Sequence, residues 1–155
     1  MITKTIIANY GDPNLGKTKS VIMAYEKLQQ VAEKEDVLYT PAQLNGDICV
    51  ILTINGIKVG VSSQGDPWSA QKSLLDELVG NDCQIILTAC RNNHDMVCLL
   101  NEYEKQYRIW RTSNARLFEQ NTRPRVTPQG MLRRFNENWA DEIANLIESW
   151  CYSGK

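Results

Sequence analysis

The chain has 155 residues, of which 43% are apolar and 23% charged, with a formal net charge of −1. That is the size and balance of one globular domain, expected to span 1–155, with enough apolar material for its own core. The near-zero charge argues against a globally basic nucleic-acid binder. With no apolar run of about 18 residues and no signal-peptide pattern, the expectation is a cytoplasmic protein with no membrane partner.

Thr5 to Tyr10 is a short apolar run that reads as a buried strand. Gly11-Asp12-Pro13-Asn14-Leu15-Gly16-Lys17-Thr18 follows, and then a helical pattern from Lys17 to about Lys34, with apolar residues at 21, 22, 25 and 28. Glu33-Lys34-Glu35-Asp36 reads as a charged exit from that helix, and Val37 to Gly46 as a loop with a short strand near Leu38-Tyr39. The β-branched run Ile48 to Ile54 and the run Ile57 to Val61 are joined by Asn55-Gly56. Both turn residues tolerate positive φ, which predicts a two-residue hairpin and an antiparallel pair. Asp66-Pro67 has the chemistry of an N-cap and first helical position for a helix that Gly80 stops.

Gln84 to Cys90 is the next buried strand, Asp95 to Lys105 a helix, and Tyr107 to Arg111 an alternating strand suited to a sheet edge. Thr112 to Gln129 reads as a long polar loop, and Thr127-Pro128 as the start of a final helix with its apolar stripe from Met131 to Trp150. Strands alternating with helices predict a three-layer α/β fold, mostly parallel, with one antiparallel strand from the hairpin. Ligands in such sheets bind beyond the carboxyl ends of the strands, here Tyr10, Ser62, Cys90 and Arg111.

Residues 11 to 18 match G-x-x-x-x-G-K-[ST] at every fixed position, between a strand and a helix. Glycines at 11 and 16 allow a tight loop whose N–H groups face an anion, and the helix behind it adds the positive end of its dipole. The chain here resembles the P-loop NTPase superfamily. The resemblance implies a phosphate-contacting stretch of Gly11, Asp12, Pro13, Asn14, Leu15, Gly16, Lys17, Thr18 and Lys19. It implies ATP or GTP as ligand, and Mg2+ held in part by the Thr18 hydroxyl.

A second metal-side group, commonly a carboxylate past a neighbouring strand, is sought at Asp66, which serves either Mg2+ or the helix cap. The order strand, loop, helix, hairpin, glycine turn is similar to that of the small GTPases. Where that family has D-x-x-G, this chain has Ser62-Ser63-Gln64-Gly65. Thr40 is the threonine before the second strand. Asn92-Asn93-His94-Asp95 keeps Asn and Asp of the guanine-reading N-K-x-D but lacks the Lys, so adenine and guanine both stay open.

Gln64 stands where a glutamine orients an attacking water, or is a solvated loop residue. All eight arginines lie in the second half. Arg91, just past a strand end, is the candidate for charge stabilisation at a transferring phosphoryl group. Arg116, Arg123 and Arg125 suit a lid or a solvated basic loop. The leading expectation is a nucleoside triphosphatase, with a kinase acting on a small acceptor, or a non-catalytic nucleotide-binding module with a protein partner, as alternatives. Cys49, Cys83, Cys90, Cys98 and Cys151 are odd in number, with no C-x-x-C, and read as buried reduced thiols.

Overall fold

The computed structural model describes residues 3–11, 17–64, 68–91, 99–113 and 129–153, without the side chains of Gly11, Trp68, Ser69, Arg91 and residues 129–132. In chain order the elements are β1 (Thr5–Gly11), α1 (Lys17–Gln29), β2 (Lys34–Tyr39), β3 (Cys49–Ile54), β4 (Ile57–Ser62), α2 (Trp68–Gly80), β5 (Ile85–Arg91), β6 (Arg108–Thr112) and α3 (Gln129–Ser153). Residues 99–101 add a short helical stretch before β6.

The six strands form one mixed sheet in the order β2-β3-β4-β5-β1-β6. β4, β5, β1 and β6 run parallel to one another, while β3 is antiparallel to both of its neighbours. The Asn55-Gly56 turn has the left-handed geometry its residues allow, with φ of 50° and 78°. The alternating strand at 108–112 lies at one edge, as its pattern suggests.

Successive side chains of a strand face opposite sides, so each central strand feeds two cores. Ile7, Leu52, Val59, Val61, Ile85 and Leu87 pack with Val21, Ala24 and Leu28 of α1 and with Ala140, Ile143 and Ile147 of α3. Ile6, Ala8, Ile51 and Ile86 pack with Leu74, Leu75 and Leu78 of α2 and with Leu99, Leu100 and Tyr103. Cover on both faces explains why β1 and β5 are continuous apolar runs rather than alternating ones. On the α2 face Gly60 admits that helix closely. A Cβ there would lie 2.9 Å from Leu78 Cδ2 and 3.0 Å from Cys83 Sγ.

Three expectations need correction. α1 ends at Gln29 rather than near Lys34, whereas α2 does end at Gly80, and the helix expected up to Lys105 gives way to turns after Asn101. The charged stretch after α1 is not an exit but strand β2, paired along β3 with a register shift between Val37 and Tyr39. β2 is an edge strand, so charged side chains such as Lys34 and Asp36 sit in water, where they also discourage pairing with another chain. Glu35 alone turns back, accepting hydrogen bonds from Tyr25 and from Gln29 Nε2 at 2.8 Å. Among the described residues, no helix is long and apolar enough to cross a membrane.

Candidate functional site

The four parallel strands bring their carboxyl ends to one edge of the sheet. Gly11 at the end of β1 stands in register with Arg91 at the end of β5. α1 begins at Lys17, so residues 12–16 join the carboxyl end of β1 to the amino end of a helix. The flanks demanded by the glycine-loop pattern are therefore both present. Asp12, Pro13, Asn14, Leu15 and Gly16 themselves lie outside the described residues, as does Asp66.

The start of α1 is tied down on two sides. Asn9 Nδ2 donates to the Lys17 carbonyl at 3.4 Å, and Thr18 Oγ1 donates to the Ser63 carbonyl at 3.2 Å. The second contact was not expected from strand adjacency, because β5 separates β4 from β1. It arises because α1 packs across β1, β5 and β4 in turn. The consequence for Thr18 is chemical. A hydroxyl that gives its proton to a carbonyl keeps its lone pairs for another partner, which suits an oxygen-seeking cation.

Ser63 is the hub of this corner and is fully buried. Its N–H donates to the Ile48 carbonyl at 3.1 Å, its Oγ accepts from Ile48 N at 2.9 Å, and the same hydroxyl donates to Asp47 Oδ1 at 2.9 Å. Asp47 is placed by a turn with two consecutive left-handed residues, Asn45 (φ 54°) and Gly46 (φ 94°). Its N–H also closes on the Leu44 carbonyl at 3.2 Å. A partly exposed carboxylate is thus fixed next to the residue that receives the Thr18 proton. The preceding Ser62, registered with Cys49 and Thr88, belongs to the opposite, α2 face.

On that face Gln71 of α2 is buried and donates through Nε2 to the Ala89 carbonyl at 2.6 Å and to Thr88 Oγ1 at 3.4 Å. α2 is thereby fastened to the end of β5. Among the described residues, Ser62 Oγ and Gln71 Oε1 are buried there without hydrogen-bond partners. Farther along the edge, Trp139 Nε1 of α3 donates to Thr112 Oγ1 at 3.0 Å, and that hydroxyl donates to the Ala8 carbonyl at 3.0 Å.

Burial pushes the Cys90 thiol up to about 12, against the opposing pull of the Arg111 and Lys17 charges. Arg111 Nη2 also donates to Asn101 Oδ1 at 2.6 Å. The Cys49 and Cys83 thiols are likewise pushed up to about 12 by burial, so they are neutral packing groups and not nucleophiles. Among the described residues, no group of three or more His, Cys, Asp or Glu could hold a metal ion alone.

Of the residues singled out from the sequence, Lys17 and Thr18 open α1 at this edge, and Lys19 is exposed on the same turn. Gln64 directly follows Ser63 and is half-buried. Arg91 is placed by its backbone beside Gly11, with its side chain outside the description. Asn92, Asn93, His94 and Asp95, and the loop arginines Arg116, Arg123 and Arg125, also lie outside it. Sequence reasoning passed over Asp47, Ser63, Asn9 and Gln71. Asn45-Gly46 signalled a turn before Asp47, but its closeness to Ser63 follows only from the β3–β4 register, in which Cys49 faces Ser62.

No family model, no curated protein and no solved structure matches this chain.

Proposed function

We propose that this chain is a P-loop nucleoside triphosphatase, with a three-layer fold of that type, which binds Mg-ATP or Mg-GTP at the carboxyl edge of the sheet and hydrolyses the β–γ phosphate bond. The observation that carries the reading is the Thr18–Ser63 hydrogen bond. It draws the last residue of the G-x-x-x-x-G-K-[ST] pattern and the exit of β4 into one corner, at the amino end of α1. The residues there have the right chemistry for the group they would hold. Thr18 offers a hard oxygen with its proton directed elsewhere, and Lys17 a mobile ammonium charge.

In this reading the N–H groups of residues 11 to 18 and the dipole of α1 bind the phosphate chain. Lys17 meets the β- and γ-phosphate oxygens. Thr18, with Asp66 or another carboxylate, would hold Mg2+, which would supply charge neutralisation to the phosphate chain. Gln64, one residue past the Ser63 hub, orients the attacking water, and Arg91, starting level with Gly11, faces the charge on the transferring group. Bond cleavage then depends on positioning and electrostatics.

The test is incubation with γ-labelled ATP and GTP and Mg2+, with and without a panel of small phosphoryl acceptors, for the wild type and Lys17→Ala. Release of labelled phosphate by the wild type and its loss in the variant support the proposal. Label moving to an acceptor would make the chain a kinase, and absence of nucleotide binding would overturn the phosphate site itself.

A further inference from the structure

We infer that Asp47 is the carboxylate this chain turns toward the nucleotide-bound Mg2+, an inference that rests on the phosphate-site reading above. At the position where a carboxylate is sought on β4, this chain has Ser62, whose Oγ is buried toward α2 with no hydrogen-bond partner among the described residues. Ser62 is therefore on the wrong face for the α1 corner. The residue that meets Thr18 is Ser63, and the acid attached to Ser63 is Asp47, reached from the neighbouring strand β3.

The linkage is short and rigid. Thr18 Oγ1 to Ser63 O is 3.2 Å and Ser63 Oγ to Asp47 Oδ1 is 2.9 Å, with Ser63 itself buried and pinned to Ile48 through both N–H and Oγ. The Asn45-Gly46 turn fixes the Asp47 backbone, and the carboxylate keeps partial contact with solvent. Such a group suits Mg2+, which dehydrates reluctantly and is commonly bound by one or two carboxylates through its waters. Ser63, donating to Asp47 and accepting from Thr18, orients both. Partners of that kind commonly change metal affinity by about 10- to 100-fold when removed.

The test separates charge from structure. Asp47→Asn keeps an oxygen acceptor for Ser63 and removes only the negative charge. Binding of fluorescent ATP and GTP analogues is titrated in EDTA and then with increasing Mg2+, for the wild type, Asp47→Asn, Asp66→Asn and Lys17→Ala. The expected result is a Mg2+ midpoint raised about tenfold in Asp47→Asn, with binding in EDTA equal to or tighter than wild type because one repulsive charge is gone. A purely structural role would weaken binding under both conditions. A wild-type midpoint in Asp47→Asn, with a raised one in Asp66→Asn, would overturn the assignment and give the role to Asp66. If Asp47→Asn does not fold, Asp47→Glu, which keeps the charge but moves it, must itself shift the midpoint, and an unchanged midpoint overturns the assignment. A wild type that binds neither analogue, or a Lys17→Ala variant that binds as the wild type does, would instead overturn the underlying phosphate-site reading.

Discussion

Ser20 on α1 donates a buried hydrogen bond of 2.9 Å to Asn136 Oδ1 on α3. Ser20 lies two residues past Thr18, and Asn136 one helical turn before Trp139, whose indole N–H reaches Thr112. α3 is thereby joined to the first turn of α1 and, through Thr112, to β1. We expect Asn136→Ala to lower stability by about 1–3 kcal/mol, as for other buried polar partners removed singly. Urea unfolding of Ser20→Ala, Asn136→Ala and the double variant should give a coupling energy above about 0.5 kcal/mol. Strict additivity would show that the contact contributes nothing of its own.

Lys17→Ala should weaken Mg-nucleotide binding by about 10- to 100-fold, the scale of a lost charged hydrogen bond, while leaving the fold intact because Lys17 sits in the first turn of α1. Calorimetry and a thermal melt check the two halves. Equal affinity for both proteins would remove Lys17 from the phosphate site.

Thr18→Ser keeps the hydroxyl that donates to Ser63, and Thr18→Ala does not. The serine variant should therefore retain most of the Mg2+ dependence of nucleotide binding, and the alanine variant should lose it. If both variants respond to Mg2+ as the wild type does, the Thr18 oxygen plays no part in holding the ion.

Gly60→Ala should destabilise the protein by about 1–3 kcal/mol through overpacking, since the new methyl meets Leu78 and Cys83. Paired with Leu78→Ala, which opens space at that point, it should cost less than the sum of the two single changes. Denaturant midpoints of the four proteins decide it, and a sum that closes would place the strain elsewhere.

The Cys49, Cys83 and Cys90 thiols, pushed up to about 12, and Cys151, pushed up to about 11, should resist alkylation at neutral pH in the folded protein and react fully in denaturant. Each folded value lies above the ordinary 9.0, so the folded state favours the protonated thiol. Its stability is kept below the unfolded value and lost as pH climbs from about 9 toward about 12. Peptide mapping at each cysteine and a melt series above pH 9 test both statements. Rapid labelling of Cys90 in the native protein would mean that its surroundings open.

The central strands, the hairpin and the edge position of β6 were legible because each has a local cause: continuous apolar runs, Asn55-Gly56, and alternation. β2 was legible only at its Leu38-Tyr39 end, because an edge strand is held by its partner's backbone and tolerates Lys34, Glu35 and Asp36, which look like solvated charge. The glycine-loop pattern was legible because its residues are contiguous in the chain. Asp47 was not, because its meaning lies in a contact with Ser63 that exists only once β3 and β4 have paired. The placement of β5 between β1 and β4 is a long-range choice that no local pattern announces.

That strand order has a consequence for how the chain comes together during synthesis. β1 emerges well before β5 and β6, and both of these partners are distant in sequence, with Thr5 pairing to Ile85 on one side and to Arg108 on the other. The β2-β3-β4 meander, by contrast, joins neighbours and can form as soon as it leaves the ribosome. β1, with Ile6, Ile7 and Ala8 bare on both faces, must wait for β5, β6 and α3, and long waits of this kind are where chains aggregate. Truncations ending before β5 should therefore depend on chaperones to stay dispersed, and the corner where Thr18 meets Ser63 should be completed only after β5 has joined β1 to β4, although both residues precede β5 in the chain.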